Sequence, residues 1–264
     1  MRKTITFTTD FGLQDYYVSA MKGVILQETP EARLIDISHE IPPQDIMAGS
    51  WVLKNSAMLF PAGTVHLVVV DPGVGTSRNP VALQIGDQFF VGPDNGIFSL
   101  LTNEQEFEAV HLTNQTYWRS DPSSTFHGRD IFAPVAAHLC NGVELNELGD
   151  PLDELETYRW AVPIADKDGV QGWVIHIDKF GNLITNISAS LVEEVIGSDE
   201  VKLYVGNTIL DEIKHTFGSV AEGEPVAYIG SSGMLEVAIN KGNAEEMLGV
   251  QKGAQISLVH QHAG

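Results

Sequence analysis

The first half of the chain alternates short β-branched runs with stretches of helical periodicity. The runs are "TITFTT" (4–9), "RLIDIS" (33–38) and "VHLVVV" (65–70), separated by "YYVSAMKGVILQE" (16–28) and "DIMAGSWVLKNSAM" (45–58). That order predicts βαβ units and a largely parallel sheet flanked by helices. In the first helical stretch Val18, Met21, Ile25 and Glu28 keep the three-to-four spacing, and Met21, Val24 and Ile25 can face the sheet. Two further strands are predicted over 80–85 and 88–91, with "GPDNG" (92–96) as a turn. A later helix is predicted over "RDIFAPVAAHLC" (129–140), with Asp130 near its start and Pro134 limiting how far N-terminal it stays regular.

After "ELGDPLDELETYRW" (147–160) the pattern changes to strand-like pieces punctuated by Gly, Asn and Asp. They are "GWVIHID" (172–178), "NLITNIS" (182–188), "VKLYV" (201–205), "NTIL" (207–210), "PVAYIG" (225–230), "MLEVAI" (234–239) and "QISLVH" (255–260). Such a series predicts a small antiparallel barrel or sandwich. The boundary falls near 155–168, giving an α/β domain over 1–160 and an all-β, barrel-like domain over 165–264. The length of 264 residues accommodates both. No repeat of fixed period and no low-complexity tract interrupts them.

Composition narrows the function. With 43% hydrophobic and 19% charged residues the chain is ordinary globular material, and no apolar run approaches the roughly 18 residues of a membrane span. The opening Met1-Arg2-Lys3 leads into "TITFTTD" without a secretory pattern, and a lone Cys140 allows no internal disulfide, so a cytoplasmic location is expected. Thirty-five acids against 15 bases give a formal net charge of −20, which repels polyphosphate and argues against a nucleic-acid partner. The same charge favours approach of a cationic small molecule, or serves solubility alone.

Two predicted strands end in an acid, "TITFTTD" at Asp10 and "VHLVVVD" at Asp71. Ligands of open parallel sheets bind beyond the carboxyl ends of strands, so both acids are candidates; alternatively Asp10 caps the helix beginning near Asp15 and Asp71 anchors its own turn. The segment "VVVDPGVGTSRNP" (68–80) lacks the Gly-Lys-Ser/Thr ending of a phosphate loop and contains no GxGxxG. Its glycines let the chain fold back so that Arg78 returns towards Asp71, either to keep a working acid ionised or as a structural ion pair. His127, in "STFHGRDIF" (124–132), stands at a loop-to-helix junction where it can accept a proton, act as an electrophile, or merely cap. His39 and His66 read as structural. No HExxH or CxxC cluster completes a metal site with Asp71 and His127, so no metal is expected. In the second half, "HIDKFGNLITNI" (176–187) concentrates Asp178, Phe180, Asn182 and Asn186 in a strand and tight turn that also reads as a plain Asx-stabilised hairpin. "IGSSGML" (229–235) is a Gly/Ser turn or a backbone-donor pocket for a carboxylate.

Taken together, "TTDFGLQDYYVSAMKG", "VVVDPGVGTSRNP", "GPDNGIFS", "TFHGRDIFAP", "IDKFGNLITNI" and "GSSGMLEVAIN" resemble, in order and over nearly the whole chain, the S-adenosyl-L-methionine (SAM) hydroxide adenosyltransferases, adenosine-forming SAM hydrolases related to the fluorinase and chlorinase. The resemblance implies an α/β N-terminal domain, a C-terminal β-barrel and a homotrimer with active sites at subunit interfaces. It implies a water-handling triad of Asp71, Arg78 and His127, with Asp10 on the ribose hydroxyls and Phe180, Asn182 and Phe217 around the adenine. Asp178 is then expected on the methionine ammonium, and Ser231 with Ser232 on the methionine carboxylate. SAM is the substrate and no cofactor is expected. The chain departs from the fluorinase at Asp71, where that enzyme has tyrosine, at Gly128, where it has the halide-binding serine, and in lacking the insertion before "GPDNG". At Ser232 the fluorinase has a carboxylate-gripping arginine. The departures favour water over halide; a SAM-dependent halogenase and a non-catalytic SAM or adenosine binder are the competing readings.

Overall fold

The computed structural model describes residues 4–103, 105–195, 197 and 200–260. The chain divides between Thr157 and Tyr158 into two compact units.

The first unit is built on seven strands, β1 (Thr4–Thr9), β2 (Arg33–Ser38), β3 (Val65–Val69), β4 (Pro80–Ile85), β5 (Gln88–Pro93), β6 (Glu108–His111) and β7 (Asp150–Pro151), in the order β2-β1-β3-β5-β4-β6-β7. Its helices are α1 (Tyr17–Glu28), α2 (Ile46–Ser56), α3 (Ser99–Thr102) and α4 (Ala133–Cys140). Asp45 caps α2 by accepting from the Ala48 N–H at 2.9 Å. Val18, Met21 and Ile25 are the buried residues of α1, as the spacing predicts. The sheet is mixed, not mostly parallel: β2, β1, β3 and β5 run parallel, but β5-β4, β4-β6 and β6-β7 are antiparallel. The reason is local. Only Gly86 and Asp87 join β4 to β5, and so short a link can close only a hairpin, because a parallel return needs a long crossover. Alternate residues of β3 enter two cores: Val65, Leu67 and Val69 join Met21, Ile25, Val135 and Leu139, while Val68 and Val70 join Leu53, Leu83 and Ile97.

The helix predicted over 129–140 begins as one π-helical turn, Gly128–Phe132, and becomes α-helical as α4, whose first turn holds Pro134. Proline lacks the N–H that a helix interior uses, so the regular part starts where that donor is dispensable.

The second unit contains β8 (Ile164–Asp166), β9 (Gly169–Ile177), β10 (Leu183–Ser188), β11 (Val201–Val205), β12 (Thr208–Leu210), β13 (Ile213–Lys214), β14 (Pro225–Ile229), β15 (Met234–Ile239) and β16 (Gln255–His260), with short helices α5 (Ala189–Val195) and α6 (Ala244–Leu248). The strands follow the order β12-β11-β16-β9-β10-β15-β14-β13, with β8 added to β9, in a nearly closed barrel-like sheet. One core takes the inward residues of the long strands: Val170 and Val174, Leu183, Leu203, Ala227, Leu235 and Val237, Ile256 and Leu258. The patterning missed β8 and β13, of three and two residues.

Candidate active site

Parallel pairing of β1 with β3 aligns Thr9 with Val69, so Asp10 and Asp71 leave the same carboxyl edge of the sheet. Asp10 does not cap α1, whose N-cap is Tyr16 without a side-chain bond. Its carboxylate instead accepts from the Gln44 N–H at 2.8 Å, fixing the connection into α2. Burial pushes the Asp10 pKa up, opposed by that N–H and assisted by the nearby Asp71 charge.

The Val70 carbonyl, one residue before Asp71, accepts from Asn95 Nδ2 at 2.9 Å, so the "GPDNG" turn tethers the end of β3. Beyond it the chain doubles back. Val74 N–H donates to the Asp71 carbonyl at 3.3 Å, and the N–H and hydroxyl of Thr76 donate to the Gly73 carbonyl at 3.1 and 2.7 Å. Gly75 has φ +77°, and a Cβ there would lie 2.4 Å from the Ser124 carbonyl oxygen; the bend therefore requires glycine for its dihedral and for close approach to the segment carrying His127.

That bend delivers Arg78 to Asp71. Arg78 Nε donates to Asp71 Oδ1 at 3.0 Å and Nη2 to Oδ2, a bidentate pair whose side chains are only 8% and 5% exposed. Arg78 Nη2 also donates to His127 Nδ1 at 2.8 Å. Guanidinium can only donate, so Nδ1 must accept and the ring proton resides on Nε2. Burial and then the Arg78 charge hold the His127 pKa below its ordinary value, consistent with a neutral imidazole. The segment leading to His127 is tied by Asp130, whose carboxylate accepts from Arg129 Nε and Nη2 at 2.7 Å, from Arg119 Nη1 at 3.1 Å and from Ser123 N–H at 2.9 Å. Burial opposes its charge, but the Arg129 bonds and the others keep the Asp130 carboxyl below the usual range.

A Cβ at Gly128 would meet Met21 Sδ at 3.1 Å and Phe126 and Val69 at 3.4 Å, so a serine hydroxyl has little room there without displacing Met21. His39 and His66 are structural. His39 is buried between Thr9 Oγ1 at 2.8 Å and Asp36 at 3.1 Å, and His66 lies against Thr6 and Gln88, with burial lowering its pKa to about 4. Among the described residues no group of three or more His, Cys, Asp or Glu side chains is placed to hold a metal ion, and no helix is long and apolar enough to cross a membrane.

In the second unit the turn between β9 and β10 is organised by Asp178. Its Oδ1 accepts from the N–H groups of Phe180 at 2.8 Å and Asn182 at 2.9 Å, and its Oδ2 from Asn182 Nδ2 at 2.8 Å. Phe180 projects from this turn 72% exposed. Phe217, 55% exposed, places its ring 6.2 Å from that of Tyr228 on β14. Ser231 is exposed in the β14-β15 turn, while Ser232 Oγ donates to Glu236 Oε1 at 3.4 Å. Tyr228 and Glu236 were not singled out from the sequence. Alternation along "MLEVAI" marks Glu236 only as facing away from the core, the position of an ordinary solvated acid, and nothing local announces that Tyr228 donates to it at 2.8 Å.

Residues 5–149 match the SAM hydroxide adenosyltransferase N-terminal domain and residues 172–257 its C-terminal domain. A protein of Salinispora tropica named (R)-S-adenosyl-L-methionine hydrolase is 42% identical over 96% of this chain and 97% of its own length. One of the same name from Thermus thermophilus is 40% identical over 97% of this chain and all of its own. The crystal structure of an uncharacterized conserved protein from Thermotoga maritima superposes with a TM-score of 0.86 at 40% identity, covering 97% of this chain and 100% of that one.

Proposed function

Because the chain belongs to the SAM hydroxide adenosyltransferase family, we propose that it hydrolyses SAM to adenosine and L-methionine. The observation that carries the reading is the assembly of Asp71, Arg78 and His127 by two loops far apart in sequence, in a chain whose relatives are named for this activity.

In the reaction an oxygen lone pair of water forms the C5′–O bond while the C5′–S bond breaks and its electron pair returns to sulfur. Methionine leaves as a neutral thioether, so no general acid is needed, and neither metal nor other cofactor is required to stabilise the leaving group. The water proton is the one product to be accepted. The hydrogen bonds divide the work. With Nδ1 occupied by Arg78, His127 can offer only its Nε2 N–H, which donates to the attacking oxygen and favours its hydroxide character. Asp71 retains one lone pair on each oxygen after the bidentate bond, orients the water by accepting a hydrogen bond from it, and takes its proton as the C5′–O bond forms, to be returned to solvent. Arg78 fixes both partners. Held in line, such a water gains from effective molarity, up to roughly 7 to 11 kcal/mol in ideal cases.

The first unit thus handles water and, through Asp10, the ribose hydroxyls. The second supplies Phe180, Asn182 and Phe217 to the adenine and Asp178 and Ser231 to the methionine end. A homotrimer that brings the two sets together from different copies completes the proposal. The test is chromatography of chelator-treated protein incubated with SAM in ¹⁸O-water. Equal adenosine and methionine are expected, with the label in the adenosine 5′-hydroxyl; SAM recovered intact points to a binding protein, and chloride-dependent 5′-chloro-5′-deoxyadenosine to a halogenase.

A further inference from the structure

Strand β5 lies between β3 and β4 in the first sheet, so the loop that leaves β3 at Val70 and enters β4 after Asn79 has to step over the end of β5. Parallel pairing sets Leu67 beside Val91, and antiparallel pairing sets Pro80 beside Pro93, so the chain that continues from β5 emerges next to both ends of that loop. The strand ends are pressed together here: a Cβ at Gly92 would lie 2.5 Å from the Val68 carbonyl oxygen.

The two residues that follow β5 take one end of the loop each. Asn95 Nδ2 donates to the Val70 carbonyl at 2.9 Å, immediately before Asp71. Asp94 N–H donates to the Asn79 carbonyl at 2.9 Å, immediately after Arg78. A single dipeptide thus sets the spacing of the two chain positions that carry the bidentate pair. The dipeptide is itself anchored from the other side. Asp94 is buried and its Oδ1 accepts from the Glu156 N–H at 2.8 Å, Asn95 Oδ1 accepts from the Ile97 N–H at 3.3 Å, and the Gly96 carbonyl accepts from the N–H and hydroxyl of Ser99 at 3.1 and 2.7 Å. Of the two bonds to the loop, the one from Asn95 belongs to a side chain and can be removed by substitution.

Resting on the SAM hydrolase reading, we infer that Asn95 is a positioning residue for the hydrolysis: by holding the start of the loop against its end, it keeps Asp71 in register with Arg78 and, through Arg78 Nη2, with His127. Its contribution belongs to the chemical step, because a displacement of about 1 Å in a positioned nucleophile costs up to roughly 10²-fold in rate.

Asn114 supplies a matched control, since its side chain makes the same two kinds of bond with partners outside the loop: Nδ2 donates to the Glu147 carbonyl at 2.8 Å and Oδ1 accepts from the Thr116 N–H at 3.2 Å. The test compares Asn95→Ser with Asn114→Ser. Serine still offers an oxygen to the N–H two residues on, adds no charge, and is too short to keep the distant carbonyl. Asn95→Ser is expected to lower kcat about tenfold or more with KM within about twofold, and Asn114→Ser to leave both within about twofold. Loss of kcat and KM together in Asn95→Ser, or equal loss of kcat in the two variants, overturns the inference in favour of a structural role. A second readout needs no turnover. Burial and the Arg78 charge hold the His127 pKa down while the Asp71 and Asp130 charges raise it, so an NMR titration of the His127 ring is expected to show a higher pKa in Asn95→Ser than in wild type as Arg78 slips from Nδ1; an unchanged pKa overturns the route through Arg78. If wild type binds SAM without releasing adenosine, the hydrolase reading fails while the titration still decides whether Asn95 sets the contact between Arg78 and His127.

Discussion

The loop after β3 and the turn after β9 both place an aspartate at the end of a strand, and they leave it in opposite electrostatic states. Asp71 is covered by a bidentate arginine from its own loop, so the corner is nearly neutral before any ligand arrives. Asp178 accepts from two backbone N–H groups and the Asn182 amide of its own turn, none of which carries a charge. A neutral corner suits a neutral nucleophile, whose oxygen must not be repelled as it gains negative character. A negative corner suits a cation. On the proposed reading the difference separates a place for chemistry from a place for recognition.

Stability gives the largest contrast. Asp71→Ala leaves Arg78 buried beside a hole and is expected to destabilise by about 3 to 5 kcal/mol, whereas Asp178→Asn, which keeps the shape of a turn whose donors are all uncharged, is expected to cost about 1 kcal/mol at pH 7. Denaturant titration of both variants checks this, and similar losses break the contrast. Catalysis comes next. Asp71→Asn, which keeps the shape, is expected to lower kcat about 10²-fold with little change in KM, while Asp178→Asn raises KM by about tenfold and spares kcat. A KM effect at Asp71 or a kcat effect at Asp178 would merge the two roles.

A smaller effect probes how the neutral corner is held together. Gly75→Ala forces both a left-handed dihedral and a contact with the Ser124 carbonyl, and is expected to cost about 1 to 3 kcal/mol and reduce kcat with it. The smallest is a pH shift. The folded His127 pKa lies below its ordinary 6.5, so kcat/KM is expected to hold as pH falls through 6.5 and to decline only below it. In Arg78→Gln one of the two lowering causes is gone, and the residual activity should decline from a higher pH; an unchanged limb would mean that His127 is not the titrating group.

The βαβ opening, the change to short strands after residue 160 and the buried face of α1 could be read from the chain because each follows from spacing along one element. The doubling back of Arg78 was legible only as an allowance, since glycines at 73 and 75 let the chain fold back without dictating that it does. The antiparallel half of the first sheet was misread because β4 to β7 are connected by lengths, not patterns, and the two-residue link at 86–87 carries the decisive information.

What composition and periodicity determined by themselves is local: where strands begin, which faces are apolar, and that acids stand at strand ends. Tertiary structure alone decided which donor each acid received. His127 reaches Arg78 across 49 residues, and its protonated nitrogen is set by that contact. Tyr228 and Ser232 turn their hydrogens to Glu236 only because β14 and β15 pair in one register. Hydrogen bonds between side chains are short-ranged and directional, and the positions that satisfy them are fixed by strands meeting in space, which no spacing along a single chain encodes.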